Sequence, residues 1–209
     1  MDEDEDDDSY LAFDTRFHKN GEEPSVLEWT VALRRYSTSS DEGSSPLASL
    51  VGFITEPGYL PDSDDGWFFD VFDMRSQHAY NAFQVLFDDR PLIEKALKER
   101  GSLDECGAVA HLDRMWVDPS LRGRGIGLRL MREAQHVLGR YGLLVILKAH
   151  PDGEKVPKKD LVKLAKYYQS DKQLGLVPVS VAKRPGWLVG MWHEPVVHPE
   201  DEAYFRMYD

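Results

Sequence analysis

One cysteine, Cys106, stands in 209 residues, so no internal disulfide can staple this chain and its stability must come from a core. No apolar run approaches the roughly 20 residues of a membrane-spanning helix. The first residues are acidic where a secretory signal would be basic and then apolar. The expected setting is therefore the cytoplasm, with no membrane partner. Basic residues are outnumbered, 25 Lys and Arg against 37 Asp and Glu, for a formal charge of −12. With no basic stripe to offset that field outside one short turn, no nucleic-acid partner is expected.

Residues 2–8 supply seven acids and no base, leaving −5 on the rest of the chain. Such a run repels itself and has nothing apolar to bury, so residues 1–9 are expected to form a disordered tail. Solvation is its plain role, and recruitment of a cationic partner its functional one. Residues 10–209 contain no long linker and no internal repeat, and are long enough to bury the core of one domain.

What the chain does have is a glycine-rich turn, residues 117–127, V-D-P-S-L-R-G-R-G-I-G. Gly123, Gly125 and Gly127 let backbone N–H groups converge closely on an anion. A helix starting near Gly125 adds unpaired N-terminal donors and the positive end of its dipole. Arg122 and Arg124 add formal charge. The segment lacks the Lys-Ser/Thr that ends a P-loop, and its G-x-G-x-G spacing with Pro119 upstream is not a dinucleotide fingerprint. It is a site for phosphate or a similar anion.

Periodicity around the turn predicts strands over 26–36 and 47–55, then helices over 76–87 and 91–100. Ala79, Phe83, Leu86 and Phe87 share a face of the first helix, and Pro91 opens the second. Residues 108–117 read as the strand entering the turn. The helix after it carries Ile126, Leu130, Ala134, Val137 and Leu138 on one side and ends at Gly142. Residues 143–149, L-L-V-I-L-K-A, have the length and continuous apolarity of a buried central strand. A helix over 158–168 with Leu161, Leu164, Ala165 and Tyr168 aligned, and short strands over 177–182 and 187–192, complete the order.

The turn resembles the pyrophosphate-binding motif of the GNAT N-acetyltransferase superfamily, [RQ]-x-x-G-x-[GA], at Arg122, Gly125 and Gly127, with Val117 and Pro119 matching its V-x-P lead-in. A second block, Ala165-Lys166-Tyr167-Tyr168 followed by Leu174-Gly175-Leu176, resembles that family's A-x-[FY]-Y-x-x-L-G-F element, with about three extra residues before Leu174 and a leucine for the aromatic. The resemblance covers roughly residues 26–193.

It implies an α+β fold: a central mixed, mostly antiparallel sheet flanked by helices and splayed between two central strands. It further implies acetyl-CoA as co-substrate and no metal. The pantetheine is expected on the backbone of Met115, Trp116 and Val117, and the pyrophosphate on Arg122, Gly123, Arg124, Gly125, Ile126 and Gly127. The implied activity is direct transfer of an acetyl group to a primary amine in one ternary complex. The acceptor is a small molecule or a protein lysine or N-terminus, and exposed sheet edges offer a homodimer contact. A non-catalytic acyl-CoA sensor, or a scaffold using the acidic tail, is the alternative on the same fold.

Acetylating an amine requires a proton to leave an ammonium whose pKa is about 10.4 for a lysine-like group. It also requires an acid for the departing thiolate. Tyr168 matches the family tyrosine and is the expected acid. His111 and Asp113, two residues apart on the entering strand, share a face and are the candidate bases. His111 lies level with the glutamate that histone-acetylating members use. The negative surface and Asp70, Asp73 and Asp113 point toward a cationic acceptor. Other residues read plainly: residues 193–198, H-E-P-V-V-H, miss zinc-helix spacing and contain a proline. Cys106 has no evident activator and reads as a small apolar filler. The aromatic run 67–72 suits a sheet core as well as an acceptor pocket.

Overall fold

The computed structural model describes residues 9–19, 21, 25–37, 44–56, 71–73, 75–151, 156–181 and 185–193. The acidic residues 2–8, Asp70, the aromatics 67–69 and residues 194–198 lie outside them. Seven strands form one sheet: β1 (Ser9–Lys19), β2 (Val26–Ser37), β3 (Ala48–Thr55), β4 (Ala108–Val117), β5 (Leu143–Lys148), β6 (Val177–Pro178) and β7 (Trp187–Met191), in the order β1-β2-β3-β4-β5-β7-β6. Every neighbouring pair is antiparallel except β4–β5. This is the expected mixed α+β sheet.

Helices α1 (Gln77–Asp88) and α2 (Arg90–Leu97) cover one face, and α3 (Ile126–Leu138) and α4 (Lys158–Gln169) the other. The continuous apolar run of β5 follows from this layering. Leu143, Val145 and Leu147 enter the α3 core while Leu144 and Ile146 enter the α1/α2 core, so both faces of the strand are buried. Ser76 caps α1, its Oγ accepting from the Ala79 N–H at 3.0 Å. Pro91 sits in the first turn of α2.

The structure differs from the periodicity in several places. β1 was not legible as a strand: it begins at Ser9, pairs with β2 along its whole length, and lies on the sheet edge. Val137 and Phe87 are 37% and 44% exposed, because the buried stripes run through Met131 on α3 and through Ala82 and Val85 on α1. α2 tightens into a 3₁₀ turn after Leu97. β6 pairs only through Val177 and Pro178. No helix among the described residues is long and apolar enough to cross a membrane.

Candidate active site

The parallel ladder between β4 and β5 stops at Leu112 and Leu147. Beyond it, among the described residues, 114–117 of β4 pair with β3 alone, which leaves an open backbone edge inside the sheet. Two cavities flank this splay.

The first, about 450 Å³, lies along the glycine turn and is lined by Met115, Trp116, Val117, Arg122, Gly123, Gly125, Ile126 and Gly127, with Tyr167 and Tyr168 opposite. Asp118 builds the approach, its Oδ1 accepting from the Ser120 N–H at 2.8 Å, and Arg122 Nε donates to the Val117 carbonyl at 3.1 Å. Gly123 and Gly125 have φ of +80° and +77°, a left-handed backbone that glycine adopts freely. A Cβ at either would meet nothing within 4 Å, so the ground beside the turn is open to a ligand. In the first turn of α3 the Leu128 N–H already donates to the Gly125 carbonyl at 3.0 Å, and the Ile126 and Gly127 N–H groups come before any intrahelical acceptor. Open space, N–H donors and Arg122 together suit a pyrophosphate, and the free β4 edge suits an amide-bearing arm. Arg124 is the one expected contact that lines neither cavity; it sits exposed between the two left-handed glycines.

The second cavity, about 470 Å³, lies between α1 and the ends of β4 and β5. A bulge shapes it. The β3–β4 register passes from Val51↔Arg114 to Gly52↔Leu112, so Asp113 is the extra residue. Consecutive residues Asp113 and Arg114 consequently both line the cavity, and Met115 and Val117 turn to the α3 core. Gly52 permits this, because a Cβ there would overlap the His111 carbonyl and the Trp29 ring. The other polar lining groups are Ser76, Gln77, His78, Asn81, Lys148 and His150. Among the described residues Asp113 is the one carboxylate that lines it, whereas Asp73 lines neither cavity. Of the three acids expected at the mouth, Asp113 is in the wall and Asp70 lies outside the described residues; among the described residues the wall also carries Arg114 and Lys148.

His78 was missed by sequence reasoning, which had no signal for it beyond a polar position on α1. Its Nδ1 lies 3.1 Å from Asp113 Oδ1, and its ring stacks on Trp187 at 5.7 Å. That hydrogen bond is the main cause holding the Asp113 carboxyl below its usual range. His111 does share the Asp113 side, but it is completely buried and lines neither cavity. Neither of its ring nitrogens has a hydrogen-bond partner. Burial, reinforced by His78, pushes its pKa down to about 3. So far from solvent and from both cavities, the His111 ring is out of reach of an incoming amine, whereas Asp113 and His78 both line the second cavity. His78, His111 and Asp113 each bring one ligand atom within 4.8 Å of the others, and among the described residues they are the group that could hold a metal ion.

Tyr168 lines both cavities, and its hydroxyl lies 4.0 Å from Met115 Sδ. The extra residues before Leu174 do not displace it, because they dock on α3. Buried Asp171 pairs with Arg132 at 2.5 Å, and Gln135 Nε2 donates to the Gln173 carbonyl at 3.2 Å. Tyr167 does pack, as expected, and also accepts from the Leu128 N–H at 3.3 Å beside the glycine turn. Cys106 is an inert filler, its thiol pushed up to about 11 by burial.

Residues 54–156, which carry the end of β3, α1, α2, β4, the turn, α3 and β5, match the acetyltransferase (GNAT) family model, and the chain therefore carries a GNAT acetyltransferase domain. Among curated proteins it is similar to glucosamine 6-phosphate N-acetyltransferase 1 of Oryza sativa subsp. japonica, with 39% identity over 57 residues. That stretch is 27% of this chain and about a third of the length of the rice protein, 34%. Among solved structures it is similar to a crystal structure of an agmatine N-acetyltransferase mutant in its apo form. The match covers 77% of this chain and 74% of the other at 15% identity, with a TM-score of 0.39.

Proposed function

We propose that the chain is an N-acetyltransferase moving the acetyl group of acetyl-CoA directly to a primary amine. One observation carries the reading. The phosphate-turn cavity and the carboxylate–imidazole cavity meet across the splay at Met115, His150, Pro151 and Tyr168. Two substrates entering from opposite sides are thereby brought together, which alone can supply much of the rate.

When bound, acetyl-CoA supplies an activated thioester. Arg122 and the α3 N-terminus would hold its pyrophosphate, and the backbone of Met115, Trp116 and Val117 its pantetheine. Asp113, positioned by His78, takes the ammonium proton so that nitrogen can attack. A Tyr168 hydroxyl at the junction returns a proton to the departing thiolate. The name of the rice relative refers to a small-molecule amine, which supports an acceptor of that size in a cavity of about 470 Å³.

The test is calorimetric titration with acetyl-CoA followed by thiol release across a panel of primary amines. Binding with release on some amines is the expected outcome. Binding without release on any amine would reduce the chain to a sensor, and no binding would refute the reading.

A further inference from the structure

Among the described residues the acceptor cavity has more cationic than anionic wall. Arg114 and Lys148 face it from the diverging ends of β4 and β5, and neither forms a salt bridge among the described residues. Lys148 is partly buried, and desolvation lowers its pKa from the ordinary value. Its ammonium stands 5.9 Å over the Trp187 ring. A half-buried lysine with no acid paired to it among the described residues is costly for folding alone. An anion arriving from solution would offset that cost.

The bulge sharpens the pattern. It places the Asp113 carboxylate and the Arg114 guanidinium side by side on one wall, with the amides of Gln77 and Asn81 across from them on α1. A purely cationic acceptor would meet two like charges for every opposite one. An acceptor carrying both an ammonium and an anion would find a partner for each.

We propose that the acceptor is a small amine bearing an anionic group, phosphate or carboxylate, bound by Arg114 and Lys148 while its amine faces Asp113. This specificity rests on the acetyltransferase reading, and the two can fail separately.

The test uses the full chain and matched amines: phosphoethanolamine against ethanolamine, β-alanine against propylamine, and 1,3-diaminopropane as the cationic case. The kcat/KM for thiol release on at least one anionic amine should exceed that of its uncharged counterpart about tenfold or more. That ratio should fall toward one in Arg114→Gln and Lys148→Met, with the folding of each variant checked by thermal melting. Preference for phosphoethanolamine over β-alanine identifies phosphate as the group, and the reverse identifies carboxylate. Equal or better use of ethanolamine, propylamine or the diamine overturns the proposal, as does a ratio unmoved by both variants. Titration with phosphoethanolamine alone gives an independent reading. If acetyl-CoA fails to bind but this probe binds wild type and not Lys148→Met, the anion site stands and the acetyltransferase reading falls. If neither ligand binds, both fall.

Discussion

The Tyr168 hydroxyl and the Met115 sulfur lie 4.0 Å apart at the point where the two cavities join. Tyr168 comes from α4 and Met115 from the far side of the bulge, so the junction depends on elements more than fifty residues apart. In the proposed transfer a proton donor at this spot would serve the thiolate, whereas the remainder of the tyrosine serves packing.

Tyr168→Phe retains the ring and removes the hydroxyl. We expect acetyl-CoA affinity to stay near wild type and kcat to fall about 10²-fold or more, read by thiol release. Unchanged turnover would show that the hydroxyl has no part in the transfer.

Gly125→Val puts a β-branched residue at φ +77° beside the phosphate cavity. Acetyl-CoA affinity should drop about 10- to 100-fold, consistent with roughly 1–3 kcal/mol of backbone strain that displaces the turn. Calorimetry measures it directly, and retained affinity would move the pyrophosphate elsewhere.

His78→Phe preserves an aromatic ring over Trp187 but removes the hydrogen bond to Asp113. Since that bond is the main cause depressing the Asp113 pKa, its loss raises it. The acid limb of the kcat/KM profile should shift to higher pH. A limb that stays in place would detach Asp113 from the proton step.

His111 gives a stability prediction. The folded imidazole stays neutral down to about pH 3, against about 6.5 when unfolded, so the unfolded state takes the proton first. Stability is untouched above about pH 6.5 and falls as pH drops through the window toward 3, by up to about 1.4 kcal/mol per unit. Asp113, with its lowered pKa, adds loss in the same direction only at more acidic pH. Denaturant melts between pH 6.5 and 4.5 should therefore show a shallower slope in His111→Leu than in wild type.

Gly52→Ala tests the bulge. Its Cβ would overlap the His111 carbonyl and the Trp29 ring, and we expect a loss of about 1–3 kcal/mol in urea melts together with impaired turnover. Full stability would mean that β3 can retreat without cost.

The turn was legible because its chemistry is local: glycines, an arginine and a helix start are adjacent in sequence. β5 was legible because a strand buried on both faces needs an unbroken apolar run. β1 was not, although Leu11, Phe13 and Phe17 alternate, because it directly follows an acidic segment and lies on the sheet edge with Phe17 48% exposed. The acceptor side was half legible. His111 and Asp113 do share a face, yet only tertiary packing could reveal that Phe53, Phe72 and His78 seal one and leave the other in the cavity. His78 is 35 residues from Asp113 and becomes its neighbour only when α1 docks on the sheet.

The free edge of β4 beyond Leu112 has a thermodynamic meaning beyond chemistry. Backbone donors and acceptors inside a sheet are completed there by whatever lies alongside, so a pantetheine bound as proposed would act as part of the ladder. The melting temperature should then rise with acetyl-CoA concentration, by an amount equivalent to about 2.7 kcal/mol at a hundred times Kd. On the proposed function, the folded chain's persistence would in this way be coupled to the acetyl-CoA level around it.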